Sequence, residues 1–232
     1  MPWRVLVEAG HEIVFATERG GVAPACDRRA LEGIVLGRFG ASEEARSLYA
    51  LLEQAAEFAS PIPWAEIEPE RFDGLLLPGG HAPGMRQYLG STRLQQKIAA
   101  FWRLDRPVGA ICHGVLLLAR AQDERGHSLL ARRRTTCFPK YLERLARAAT
   151  FWLGDYTRTY PAYVEDEVRA ALADPERQFE RGPRVLLARG TANDDSAAFV
   201  VVDRNYLSGR WLGDAHLFAR TFARLLHTAP VR

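Results

Sequence analysis

Pro107-Val108-Gly109-Ala110-Ile111-Cys112-His113-Gly114-Val115-Leu116-Leu117-Leu118-Ala119 is the stretch whose reading decides the fold. The apolar run to Ile111 has the length and composition of a buried strand, and the run from Val115 reads as a helix. Between them a cysteine, a histidine and a glycine must turn the chain sharply. A cysteine at such a strand-to-helix turn is lifted out of the sheet, and the helix N-terminus favours its thiolate. Gly114 permits the close approach the turn needs. Cys112 is therefore read as a nucleophile with His113 beside it as a base. The competing reading is a buried cysteine acting as a small hydrophobe.

The same alternation continues on both sides of the turn. Pro2 to Gly10 reads as a helix end, His11 to Thr17 as a strand, and residues 22–41 as irregular. Ser42 caps a helix expected to run to Phe58, and Pro61-Ile62-Pro63 breaks the pattern. Asp73 to Leu77 is a strand that ends in Pro78-Gly79-Gly80-His81-Ala82-Pro83-Gly84. Ser91 opens a helix through Leu104. Further on, Arg134 to Cys137, Val185 to Ala188 and Ala198 to Asp203 read as strands. Lys140 to Ala149, Val164 to Ala173 (ended by Asp174-Pro175) and Gly213 to Leu226 read as helices. Strands alternating with helices imply a mostly parallel sheet covered on both faces, with ligands at the carboxyl ends of the strands. One domain, residues 1–232, is the simplest account.

The bulk properties exclude several classes. A net charge of +3 over 232 residues is too small to imply a polyanion partner, and Arg132-Arg133-Arg134 is a short solvated turn, so no nucleic acid is expected. Lys97 and Lys140 are the only lysines, an arginine bias that points to genome composition. Cys26, Cys112 and Cys137 have neither disulfide nor zinc-ligand spacing. A reducing cytoplasm, no metal and no membrane span follow as expectations.

Gly79-Gly80-His81 follows a strand as the cysteine does. Gly80 is read as presenting its backbone N–H beside the Cys112 sulfur, with the His113 N–H as the second donor of an oxyanion hole. A plain turn is the alternative. No Gly-Lys-Ser/Thr follows, so this is not a phosphate loop. His113 needs an acceptor to orient it, and Asp123, Glu124, Glu143, Asp155 and Asp214 are all available. His216 starts the last helix and is read as structural. Trp152, Tyr156, Tyr160 and Tyr163 are read as packing residues before lid residues.

The string Pro-Gly-Gly-His-Ala-Pro-Gly at 78–84, then Ala-Ile-Cys-His-Gly at 110–114, then Gly-Asp-Ala-His at 213–216, resembles the ThiJ/PfpI family of the class I glutamine amidotransferase-like superfamily. Its nearest branch is that of the heat-shock chaperones and glutathione-independent glyoxalases. The resemblance covers most of residues 2–143 and again about 185–226. It implies a flavodoxin-like three-layer α/β sandwich with a mostly parallel sheet, and a homodimer. It implies Cys112 as nucleophile, His113 as its base, and Gly80 and His113 as oxyanion donors, with Gly79 and His81 in the substrate loop. Through Thr136-Cys137-Phe138 it implies Glu143 as the third member. The implied activity uses no cofactor and takes a small reactive carbonyl such as methylglyoxal to its hydroxy acid. An amidase or peptidase and a non-enzymatic stress chaperone are the alternatives. The family pattern also carries a first strand and a glutamate four residues before a proline. That proline matches Pro2, which would put the glutamate upstream of Met1, so a natural start upstream is expected and neither Glu8 nor Glu18 is assigned its role.

Overall fold

The computed structural model describes residues 1–33, 40–157, 160–186 and 188–228. They form two compact units, Met1–Ile67 and Glu68–Arg232.

The first unit holds α1 (Pro2–Glu8), β1 (Ala16–Thr17), α2 (Arg28–Glu32), α3 (Glu43–Glu53), α4 (Ala56–Ala59) and β2 (Ile62–Pro63). Pro2 sits in the first turn of α1, where a missing N–H costs nothing. The strand expected over residues 11–17 is confined to its last two residues. Its partner explains this: Ile62 donates its N–H to the Phe15 carbonyl at 2.9 Å, while Pro61 and Pro63 have no N–H to extend the ladder. The proline stretch expected only to break structure thus carries β2. Ser42 caps α3 as expected, its Oγ accepting from the Ala45 N–H at 3.2 Å. The helix does not run on to Phe58. Ala55 is extended, and Phe58 on α4 turns inward to meet Phe15 edge-on at 5.1 Å. Within the region expected to be irregular, the Asp27 carboxylate accepts the Arg29 and Ala30 N–H groups and nucleates α2. Positions 34–39 of that region lie outside the described residues.

The second unit holds β3 (Leu75–Leu77), α5 (Met85–Leu89), α6 (Thr92–Trp102), β4 (Val108–Ile111), α7 (Val115–Arg120), α8 (Lys140–Ala149), α9 (Val164–Ala170), α10 (Pro175–Gln178), β5 (Val200–Asp203), β6 (Tyr206–Gly209) and α11 (Ala215–Thr228). The sheet order is β3-β4-β6-β5; the first three are parallel and β5 is antiparallel. Alternation along the strands sends side chains to opposite faces. On one face Phe218 and Phe222 of α11 lie against Gly109, and Phe218 against Gly209. On the other, the Tyr206 ring meets Trp102 of α6 at 5.6 Å, and its hydroxyl pairs with Thr135 at 2.9 Å. Helices therefore cover both faces of a mostly parallel sheet, a flavodoxin-like arrangement. In α6 the buried Leu94, Ile98 and Phe101 recur at helical spacing, and Ser91 caps its start. In α7 Val115, Leu116, Leu117 and Leu118 are all buried, so this helix lies inside the unit.

Several expected boundaries move. Arg134 to Cys137 makes one bridge, Thr135 to Phe179, and no strand; the Thr136 N–H goes to Ser208 Oγ, so a side chain takes the place of a ladder partner. Among residues 185, 186 and 188 there is no strand, and Leu187 lies outside the described residues. There the Tyr141 hydroxyl accepts the Val185 N–H and donates to its carbonyl. The helix from Val164 ends at Ala170, and Asp174-Pro175 starts α10 with the Asp174 side chain as its cap. β6, the central neighbour of β4, was not expected at all.

Candidate active site

β4 ends at Ile111, and the next three residues, Cys112–Gly114, make one 3-10 turn leading into α7. Cys112 has φ +60°, the left-handed region that a side-chain-bearing residue enters only at a cost of about 1–2 kcal/mol. Such strain persists where the surroundings enforce it. Here they do. A Cβ on Gly79 would stand 2.5 Å from the Ile111 carbonyl oxygen and 2.6 Å from the Cys112 Cβ. A Cβ on Gly114 would stand 2.6 Å from the Pro78 oxygen. The ends of β3 and β4 thus meet backbone to backbone, with a glycine on each side. A Cβ on Gly80 would meet only the flexible Met85 side chain, at 3.2 Å.

The half-buried Cys112 Sγ lies 3.3 Å from His113 Nδ1. Burial pushes the thiol up to about 12, against the lowering effect of the His113 backbone N–H on the sulfur; the Glu143 and Asp214 charges push it further up. The His113 ring is 1% exposed. Burial brings it down to about 3, and the neighbouring His81 and Arg120 charges act in the same direction. Both shifts favour a neutral thiol beside a neutral imidazole at rest, against the thiolate expected from the helix N-terminus. The His113 Nε2 is buried and has no hydrogen-bond partner.

Phe138 and His81 flank the His113 ring, and Tyr156 packs against His81. Phe138 lies 5.3 Å from His113, tilted by 30°. His81, half-buried, lies 6.2 Å from His113 by ring centroids. Tyr156 meets His81 edge-on at 5.6 Å. Phe138 was missed, although it follows the Thr136-Cys137 pair by one residue. Tyr156 had been read as packing, and it is 7% exposed.

The five candidate acceptors separate by environment. Asp123 caps an exposed turn, taking the Arg125 and His127 N–H groups. Glu124 pairs with Arg103, and the exposed Asp155 lies 3.9 Å from Arg147. Asp214 is fully buried but saturated by Arg210, which donates from Nε at 3.0 Å and Nη2 at 2.8 Å. Glu143 is 2% exposed on α8, charges the environment of Cys112, and accepts the Val164 N–H at 3.1 Å. No hydrogen bond joins it to His113. His216 is buried at the start of α11. Arg120 was overlooked; it is fixed by Glu167 at 2.6 and 2.9 Å and by the Leu89 carbonyl, and its charge reaches His113. Among the described residues no group of three or more carboxylate, histidine or cysteine side chains is arranged to hold a metal, and no helix is long and apolar enough to cross a membrane.

The family model described as ThiJ/PfpI family-like matches residues 1–183. A deglycase of Pyrococcus abyssi is 24% identical over 97% of this chain and 89% of its own length. Protein/nucleic acid deglycase 2 of Escherichia coli is 46% identical over 28% of this chain and 37% of its own. The crystal structure of glyoxalase III from Candida albicans superposes with a TM-score of 0.69 over 97% of this chain and 84% of that one, at 18% identity, a likeness of fold. With the family model matching well over half of its length, the chain belongs to the ThiJ/PfpI family.

Proposed function

We propose that the protein is a cysteine-dependent enzyme acting on small reactive carbonyls, converting an α-oxoaldehyde such as methylglyoxal to its 2-hydroxy acid without a cofactor. The observation that carries this reading is the strained Cys112 held 3.3 Å from a buried neutral imidazole. The deglycase and glyoxalase III names of its relatives support the substrate class.

The neutral resting pair suits an aldehyde. As the Cys112 sulfur bonds to the aldehyde carbon, its proton passes to His113 Nδ1 and then to the former carbonyl oxygen, giving a hemithioacetal. A proton then leaves that carbon and one arrives at the neighbouring carbonyl carbon, whose oxygen becomes a hydroxyl. The sulfur-bearing carbon becomes a thioester carbonyl. Water adds there, the C–S bond breaks, and the thiol takes its proton back. One water is consumed, with no external oxidant or reductant. The His113 backbone N–H, with that of Gly80, stabilises the oxygen as it becomes negative. Gly79 holds the two strand ends together, and His81 borders the substrate. Glu143 acts through its charge on the sulfur and keeps the resting thiol protonated until substrate binds. For an α-oxoaldehyde already attached to an amine, the Cys112 sulfur bonds to the hemiaminal carbon as the C–N bond breaks, and the thiol proton passes through His113 to the departing amine, giving the same hemithioacetal.

The two units form one domain over 1–232 in this reading, supported by a family match that crosses their boundary. A homodimer and a cytoplasmic location are carried with it. A holdase is the second reading, favoured by the exposed Phe151–Trp152 ring pair just after α8, with Leu145 exposed on α8 itself.

Purified protein given methylglyoxal and a peptide amide side by side distinguishes these. Hydroxy acid from methylglyoxal alone, abolished in Cys112→Ala, is the expected result. Amide cleavage alone favours the hydrolase. Suppression of aggregation by both proteins, with turnover by neither, favours the holdase.

A further inference from the structure

The buried imidazole of His113 has a transport problem. It is 1% exposed, its Nδ1 faces the Cys112 sulfur, and its Nε2 touches neither water-accessible space nor a hydrogen-bond partner. A proton taken from the thiol, or needed to reprotonate it when product leaves, has no route to solvent through His113 alone. His81 is the titratable ring packed beside His113, at 6.2 Å between centroids, and it is half-buried where His113 is sealed. The sealed Nε2 admits no water at rest, so a proton crosses when the half-buried His81 ring moves and lets a bridging water reach it.

We propose that His81 is the proton port of this site, carrying protons between solvent and the sealed His113 imidazole that faces Cys112. A positive charge on His81 opposes protonation of His113. A proton arriving on His113 is driven outward to His81, and one on His81 keeps His113 neutral and ready to accept. Among the described residues, charged or titratable groups that act on the pair include Arg120 on α7, Glu143 on α8, Tyr156 and Asp214. Arg120 is fixed by Glu167, and Asp214 by Arg210. Glu143 takes the Val164 backbone N–H, and His113 Nε2 has no hydrogen-bond partner. Tyr156 is a positioning residue: its ring meets His81 edge-on and holds it toward His113.

The proposal rests on the Cys112–His113 pair, and the test is chosen to read that pair without a carbonyl substrate. The rate of Cys112 alkylation by iodoacetamide, followed by peptide mass, requires the thiol proton to leave. His81→Ala is expected to slow it about tenfold or more at neutral pH, with the rate restored by added imidazole. His81→Gln is expected to be slow as well and to change the pH dependence of alkylation, since its amide carries no proton. Tyr156→Leu, which removes the ring packed against His81, is expected to lose part of the rate. Unchanged alkylation in His81→Ala, or a loss that imidazole does not restore while the thermal midpoint falls, overturns the port. Failure of the wild type to consume methylglyoxal, with imidazole rescue intact, overturns the proposed substrate and leaves the port standing.

Discussion

Ile111 and Gly209 are partners across the sheet, and each is followed by a polar residue placed at the strand's end with an opposite fate. After β6, Arg210 is 0% exposed, yet its guanidinium donates to both oxygens of Asp214 and to the Pro183 and Ala197 carbonyls. Asp214 also takes the backbone N–H groups of Phe199, Arg210 and Trp211. After β4, Cys112 is backbone-strained, and the buried His113 Nε2 has no partner. The same position in the sheet thus builds a saturated network on one strand and an unsatisfied one on the next. Buried polarity that is fully paired stabilises and does nothing else, while buried polarity left incomplete is available for chemistry.

The contrast makes unequal demands on stability. Asp214→Ala leaves a buried guanidinium uncompensated and should cost about 3–5 kcal/mol in urea unfolding, the largest effect expected. If it costs no more than a surface substitution, the network is not the structural anchor it is taken for.

The acid limb separates the two ends next. His113 is held at about 3 in the fold against 6.5 when unfolded, so the unfolded chain binds the extra proton between those values. Its contribution is present above pH 6.5 and is lost as pH falls toward 3, at about 1.4 kcal/mol per pH unit. The stability of wild type relative to His113→Gln should therefore fall by about 2 kcal/mol between pH 6.5 and 4.5. Cys112 works in reverse. Its thiol is raised from 9.0 to about 12, so its contribution holds below pH 9 and is lost as pH rises toward 12, a loss that Cys112→Ala should lack.

Smaller effects test the backbone of the elbow. Gly79→Ala forces a methyl to within 2.5 Å of the Ile111 oxygen and should cost about 1–3 kcal/mol together with Cys112 reactivity, whereas Gly80→Ala displaces only the Met85 side chain. The smallest expected effect is the strain at Cys112 itself: Cys112→Gly should be about 1 kcal/mol more stable than Cys112→Ala.

Much of the elbow is legible in the residues. Strand, turn and helix are readable from Pro107 to Ala119 because an apolar run, a Cys-His-Gly turn and a second apolar run leave little choice. Gly114 announces a close approach for the same reason, whereas in the preceding loop it is Gly79, not the Gly80 singled out from the sequence, whose Cβ would meet backbone. Lys140 to Ala149 has strong helical spacing, and its boundaries hold. β6 escaped because Tyr206 to Gly209 is only four residues long and contains a serine and a glycine; the Arg204-Asn205 turn after β5, with Arg204 at φ +58°, was the available hairpin signal. Phe138 and Arg120 escaped because their relation to His113 is made by tertiary packing, which spacing along the chain does not encode. The strands expected at 134–137 and 185–188 show the converse, where Ser208 and Tyr141 side chains take the backbone groups that a ladder would have used.

The central claim is that the Cys112 sulfur bonds to the carbonyl carbon. Its most direct test is acid quenching of the enzyme during methylglyoxal turnover, followed by mass analysis of the peptide containing Cys112. The account predicts one methylglyoxal equivalent on Cys112 that appears within a turnover, decays as substrate is exhausted, and is absent from His113→Gln. Steady turnover with Cys112 unmodified, or adducts confined to arginines and the exposed Cys26, would contradict it.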